Sequence, residues 1–245
     1  YDSEGELIYV GKAKNLRRRI AQYRNAKRRK KHAKMRKIVS EAARLEHEVC
    51  DDEFSALRLE TEWIQSHRPK WNVSGAFYFL YPMIGIERSG DVLRICWTTI
   101  PESFPGYSFH GAYRSRERTK EAFFSLIELL RWIGHPEKGR AAAAPVPRGS
   151  AYAYSFRRIP ESFSARLDSF FRGEDLSALE ELAVLLLEKP SAIARPAETQ
   201  ALLRSIRGFW RNEARRLRSV RERSGRTEYP VSQRDRDLVF IAAKA

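Results

Sequence analysis

Two charged residues sit where apolar side chains are expected. In the segment Tyr9-Val10-Gly11-Lys12-Ala13-Lys14-Asn15-Leu16-Arg17-Arg18-Arg19-Ile20-Ala21-Gln22-Tyr23, the residues Leu16, Arg19, Ile20 and Tyr23 recur at steps of three, four and seven, the spacing of one helix face. Arg17 and Arg18 point elsewhere and can be ordinary solvated charges. Arg19 falls on the apolar stripe, where a cation needs a counter-charge, a stem that reaches water, or an anionic ligand. The second anomaly is Glu60, in the middle of a stripe formed by Ala56, Leu57, Trp63 and Ile64. A carboxylate on such a face is normally paired or holds a metal; a salt bridge to Arg19 is one reading and a cation site the other. Glu53 and Glu62 lie on faces where carboxylates need no special account.

Local signals predict the elements that must place these two residues. Asp2-Ser3-Glu4-Gly5 reads as a tight turn between a strand ending at Tyr1 and a second strand over Leu7–Val10, which stops at Gly11. A first helix is predicted over Asn15–Tyr23 and a second up to about Ala43. Leu45–Cys50 alternates with the strand period. Asp51-Asp52 then offers an N-cap with Glu53 in the first turn, and the third helix runs to about Ser66, where Pro69 prevents its continuation. Between the first two helices lies the densest charge run, Lys27-Arg28-Arg29-Lys30-Lys31-His32. A solvated face is the bland account; the near absence of acids favours sequence-independent phosphate contacts.

Bulk properties agree with a polyanionic partner. The chain has 245 residues, 42% of them hydrophobic, a formal net charge of +15 and an isoelectric point near 10.1. That balance points to nucleic acid or an anionic membrane surface. No apolar run reaches the ~18 residues a membrane span needs, and no signal peptide is visible. Cys50 and Cys96 are the only cysteines, which excludes a disulfide scaffold, a four-cysteine zinc site and an iron–sulfur cluster. A reducing cytoplasm fits.

From Phe77 the texture turns aromatic and β-rich: 77–82, Met83–Glu87, a turn at Ser89-Gly90-Asp91 and Val92–Trp97, followed by an amphipathic helix over Arg116–Ile133. Residues 139–150, with four alanines and two prolines, have the composition of a domain linker. Beyond lie an apolar piece with Tyr152, Tyr154 and Phe156, helices over Phe163–Phe171 and Leu176–Glu188, and a long basic helix over about Glu198–Arg223. The expected organisation is therefore a first domain over 1–73, a β-rich segment with a helix over 74–138, a linker over 139–150, and a basic, mainly helical domain over 151–245. The class is α+β.

Four linked segments resemble the GIY-YIG endonuclease family, most closely the nuclease module of the excinuclease C subunit and its short stand-alone homologues. Tyr9-Val10-Gly11 stands at the second tripeptide of the family. Lys12 to Arg19 follows the excinuclease version, with Arg19 at the catalytic arginine. Ala56-Leu57-Arg58-Leu59-Glu60 matches the segment carrying the metal-binding glutamate, and Arg68-Pro69-Lys70-Trp71-Asn72-Val73 the one that closes the module, with Asn72 at its asparagine. The likeness covers residues 1–73 and is fainter over 74–135. It implies a small three-stranded antiparallel sheet flanked by helices. The family's first tripeptide, Gly-Ile-Tyr, would lie before Tyr1, together with most of the first strand.

The chemistry implied by the resemblance is metal-dependent hydrolysis of a DNA phosphodiester by single-strand incision, as in nucleotide excision repair in the bacterial cytoplasm. A divalent cation, magnesium first and manganese second, is implied on Glu60. Tyr9, Arg19, Glu60 and Lys12 become the candidate catalytic residues. Lys14, Arg17, Arg18, Tyr23, Lys27, Arg28, Arg29, Lys30, Lys31 and Asn72 become candidate DNA contacts, with Tyr23 and Asn72 in support. DNA and other excision-repair proteins are the expected partners, and no membrane is. The competing readings are a non-catalytic DNA-binding or scaffold protein that keeps the nuclease fold, and a nuclease of mobile-element type.

Overall fold

A computed structural model describes residues 1–26, 32–72, 76–137 and 146–243, with only the backbone at Tyr78. Its class is α+β. The chain divides into two compact units, one formed by residues 1–78 with 240–245, the other by residues 79–239. Among the described residues no helix is long and apolar enough to cross a membrane.

The first unit is built on three helices, α1 (Leu16–Arg24), α2 (Ala33–Glu41) and α3 (Glu53–His67). Two of the three starts, those of α1 and α3, are capped by a side chain. The Asn15 side chain accepts from the Arg18 N–H and caps α1, and Asp52 accepts from the Ser55 N–H and caps α3. Helix α3 ends on Arg68 in the left-handed conformation, φ 48°, directly before Pro69. Among the described residues of this unit, Ile8, Ile38, Ile64 and Ala76 are the buried apolar side chains.

The three strands expected here do not form a ladder among the described residues. The turn closes as predicted, with the Asp2 N–H donating to the Glu6 carbonyl. Among the described residues Leu7–Val10 is not paired as a strand. Tyr1 exchanges hydrogen bonds with Arg44, but Leu45–Cys50 then forms no strand, with Leu45 and Val49 exposed. Leu7–Val10 is instead tied to the segment after α3, through the Trp71 N–H and the Ile8 carbonyl, 3.1 Å apart. The α1 stripe also departs from expectation: Leu16 and Ile20 are 39% and 41% exposed, so Arg19 is half-covered rather than sunk in a core.

The second unit contains a five-stranded antiparallel sheet in the order β3-β1-β2-β5-β4. Its strands are β1 (Met83–Ser89), β2 (Val92–Thr98), β3 (Ser108–His110), β4 (His135–Glu137) and β5 (Ala151–Arg157). The β1–β2 hairpin turns at Gly90-Asp91, as the sequence indicates. The stretch 77–82, expected as strand, holds a short 3-10 turn over Tyr78–Leu80. The segment expected as an interdomain linker instead connects two strands of one sheet. β5 pairs along its whole length with β2, placing Tyr152 opposite Trp97 and Tyr154 opposite Ile95.

Helix α4 (Arg116–Ile133) has the limits its apolar spacing predicts and buries Phe123, Leu126, Ile127, Leu129 and Leu130. After β5 come α5 (Glu161–Arg172), α6 (Ser177–Leu187), the short α7 (Pro190–Ala194), α8 (Pro196–Phe209), α9 (Arg215–Arg223) and α10 (Arg236–Ala242). Helices α8 and α9 are one continuous rod, joined by a π turn over Trp210–Ala214. That turn carries the buried Glu213, whose Oε2 accepts from the Arg114 and Ser115 N–H groups at 2.8 and 3.2 Å. Its Oε1 accepts from Arg118 Nη1 at 3.0 Å. A buried carboxylate is tolerable because these donors meet it at the open N-terminus of α4. Gly173, the left-handed cap of α5 at φ +77°, is fixed by sterics as well: a Cβ there would stand 2.5 Å from the Ala214 carbonyl oxygen.

Candidate active site

Helices α1 and α3 and the extended segment Ile8–Lys12 bring the predicted residues together in the first unit. Asn72 sets the position of the segment. Its Oδ1 accepts from the Val10 N–H at 2.8 Å and its Nδ2 donates to the Val10 carbonyl at 2.9 Å. The side chain thus does what a neighbouring strand would do. Asn72 was expected among the DNA contacts. Both ends of its amide are committed to Val10 and the residue is buried, so it serves as a positioning residue.

Tyr9 folds back over Gly11. A Cβ at Gly11 would lie 2.8 Å from the Tyr9 phenol oxygen and 2.9 Å from its ring, so the glycine makes room for the phenol. The Tyr9 and Tyr23 rings stand 5.9 Å apart. Arg19 completes a three-membered group: its Nη2 lies 3.4 Å from the Tyr23 hydroxyl, and it also interacts with the Tyr9 hydroxyl. Partial burial works against the Arg19 charge, but the two phenols raise its pKa above the usual value. Burial pushes the Tyr23 phenol well above the ordinary tyrosine range, its hydrogen bond to Tyr9 adds to the rise, and Arg19 pulls the other way. Tyr23 therefore keeps its proton at neutral pH and can donate it to the Tyr9 oxygen.

Glu60 is half-buried on α3. Its Oε1 accepts from the Lys12 backbone N–H at 3.2 Å. Desolvation raises its carboxyl pKa, opposed by that N–H and by the charges of Lys12 and Arg19. Among the described residues no ion pair joins Glu60 to Arg19, so the salt-bridge reading of the two anomalies does not hold. Glu60 Oε2 makes no hydrogen bond or ion pair among the described residues. No group of three or more histidine, cysteine, aspartate or glutamate side chains suited to a metal ion occurs among them either. A single carboxylate with one open oxygen is a donor set that fits magnesium, which keeps most of its waters and uses few protein ligands.

Lys12 does not point its ammonium at this carboxylate. Its Nζ pairs with Glu53 Oε1 at 2.6 Å, and Lys14 Nζ pairs with Glu53 Oε2 at 2.6 Å. Hydrogen bonds to Lys12 and then Lys14 hold the Glu53 carboxyl down at about 2. The sequence reading set Glu53 aside as an ordinary first-turn acid. The signal was present: Glu53 and Glu60 are seven residues apart, two turns on one helix face, and Lys12 spans them with backbone and side chain. Arg17 and Arg18 are exposed on α1. Lys34 Nζ lies 5.4 Å over the Tyr9 ring. The charge run Lys27, Arg28, Arg29, Lys30 and Lys31 lies outside the described residues.

The residues of this site lie within a range that matches a known family. The family described as the UvrC-like GIY-YIG domain matches residues 1–73. Among curated proteins the chain is similar to the UvrABC system protein C of Saccharopolyspora erythraea, 30% identical over 231 residues, covering 83% of this chain and 32% of that protein. It is also similar to that of Kocuria rhizophila, 34% identical over 129 residues, covering 53% of this chain and 18% of the relative. The match to the protein of Pseudothermotoga lettingae is 42% identical over 88 residues, covering 36% and 16%. The chain thus spans a third or less of the length of these relatives. No solved structure matches it. Residues 1–73 therefore form a UvrC-like GIY-YIG domain.

Proposed function

We propose that the chain is a DNA endonuclease that hydrolyses one phosphodiester per incision, and that it acts in nucleotide excision repair with proteins that locate the damage. The observation that carries this reading is the arrangement around Lys12. A half-buried carboxylate with a free oxygen, Glu60, is fixed by the Lys12 N–H, and the same short segment carries Tyr9 into contact with Arg19 and Tyr23. A divalent cation held by Glu60, magnesium or alternatively manganese, would supply the charge that steadies the leaving 3′ oxygen. Arg19 presents a guanidinium to the scissile phosphate and offsets charge that develops there. Tyr9, as the phenolate, aligns the attacking water and takes its proton, becoming the phenol again, while Tyr23 stays protonated and donates to the Tyr9 oxygen. Lys12 stands next to the phosphate once DNA competes with Glu53 for its ammonium. Lys14, Arg17 and Arg18 contact flanking phosphates.

Nicking of supercoiled plasmid by the full chain, with and without magnesium, tests this. Open circles are expected only with the metal. Glu60→Gln and Arg19→Ala are each expected to lower the rate by about 10²-fold or more. Unchanged nicking by Glu60→Gln overturns the assignment. Salt-sensitive binding with no cleavage by the unaltered chain would favour the scaffold alternative.

A further inference from the structure

One face of the α8–α9 rod has no role in the site above. Arg204, Arg207, Arg211 and Arg215 recur along it at steps of three and four, and all four are exposed. Every exposed residue from 204 to 219 is an arginine except Ser219. The single acid in that stretch, Glu213, is buried and bound at the start of α4. None of the four arginines makes an ion pair among the described residues, whereas Arg218 pairs with Glu222. The opposite side of the rod is apolar and packed, with Ile206, Phe209, Ala214, Leu217 and Val220 buried. A Cβ added at Gly208, between the first three arginines, would meet nothing within 4 Å. The face is uncovered, and its arginines are excess charge rather than partners to local acids.

We propose that this face binds the phosphate backbone of duplex DNA beyond the incision site; the choice of DNA rests on the nuclease reading above. From Arg204 to Arg215 the rod rises about 16 Å, a length over which a duplex carries roughly ten phosphate charges. Four guanidiniums without ion pairs, that of Arg215 lying 5.7 Å over the Trp210 ring, are spread along that length and suit a regular row of phosphates. A membrane surface suits it poorly, because an interfacial helix needs apolar side chains flanking its basic face and the exposed positions here have none. The exposed positions also carry no aromatic ring to stack on a base, so the contact is to backbone and independent of sequence.

The test is the salt dependence of binding. A labelled duplex of arbitrary sequence is titrated by fluorescence anisotropy with the full chain in a chelator, so that nothing is cut, over a range of NaCl concentrations. The variant R204Q/R207Q/R211Q/R215Q is expected to reduce the slope of log K against log salt by about 3 to 4, close to 0.9 per lost phosphate contact. Affinity at moderate salt should fall at least about tenfold. Circular dichroism establishes that the variant is folded, and the single charge reversal R211E should reproduce a smaller loss. A slope within one contact of the unaltered chain, for both folded variants, overturns the proposal, as does tighter binding of duplex RNA through the same arginines. Because the slope is read without metal or cleavage, it can fail while the nuclease reading stands, and the reverse also holds.

Discussion

The two units hold their shape by different means. In residues 79–239, Leu93, Ile95, Cys96, Trp97, Leu129, Leu130 and Phe163 are fully buried, and apolar burial at roughly 25 cal/mol per Å² is the dominant favourable force. In residues 1–78 the buried apolar side chains are few, and Leu16, Ile20, Leu45 and Val49 are exposed. What fixes the site segment there is polar: Asn72 on Val10, Glu60 on the Lys12 N–H, Glu53 on two lysines. Active sites need groups that are charged, open and placed, and such groups contribute little to a core. The difference teaches that the same kind of side chain, a carboxylate that accepts from backbone N–H groups, does opposite work in the two units. Glu213 closes a helix end inside packed structure, while Glu60 keeps an oxygen open.

That contrast can be broken or sharpened by substitution. The largest effect on stability is expected from Glu213→Ala, which leaves the Arg114 and Ser115 N–H groups without their partner and strands one end of Arg118. We expect a loss of about 3 kcal/mol, read as the urea midpoint followed by circular dichroism. An unaltered midpoint would show that the buried carboxylate is not a structural tie. Asn72→Ala should cost less, about 2 kcal/mol for two backbone groups released from the amide. It should also slow nicking, because Tyr9, Gly11 and Lys12 follow Val10. Loss of stability with nicking intact would separate the clamp from the site.

The smallest effect concerns Glu53. Its carboxyl titrates at about 2 rather than at its ordinary 4.5. The pair with Lys12 and Lys14 is therefore complete above the ordinary value, and its contribution is lost as pH falls through about 2. The group is exposed, so the thermal midpoint should move little. The direct reading is an NMR titration of the Glu53 side chain: a midpoint near 4.5 would mean that the lysines do not hold it in solution.

Much of this was legible because the signals were local. The limits of α4 follow from apolar spacing and the Ser115 cap, and the β1–β2 hairpin from its Gly90-Asp91 turn. Arg19 and Glu60 were detectable as charges out of phase with their helices, although the stripe around Arg19 proved half-exposed. The remainder depended on partners distant in sequence. Nothing near Asn72 reveals that its amide substitutes for a strand edge 62 residues away, and nothing near Glu213 reveals the helix start it closes. The stretch 139–150 has a linker's composition, yet whether it separates domains depends on β5 reaching β2, a pairing between distant segments. The predicted three-strand sheet lacked its ladder because a strand requires a neighbour as well as a pattern.

The π turn at Trp210–Ala214 has a consequence for sequence register. It inserts the equivalent of one extra residue into an otherwise α-helical rod, with the Arg215 N–H reaching back to the Trp210 carbonyl. Everything after it is out of phase with everything before it by about 100°, one residue's rotation. Deleting Asn212 would let the rod close into uninterrupted α-helix with Ile206 and Leu217 still facing as they do, because the residue removed is the one that the π turn absorbs. The same deletion placed in the regular helix, outside the turn, would rotate the rest of the rod by about 100° and trade arginines for leucines on a surface.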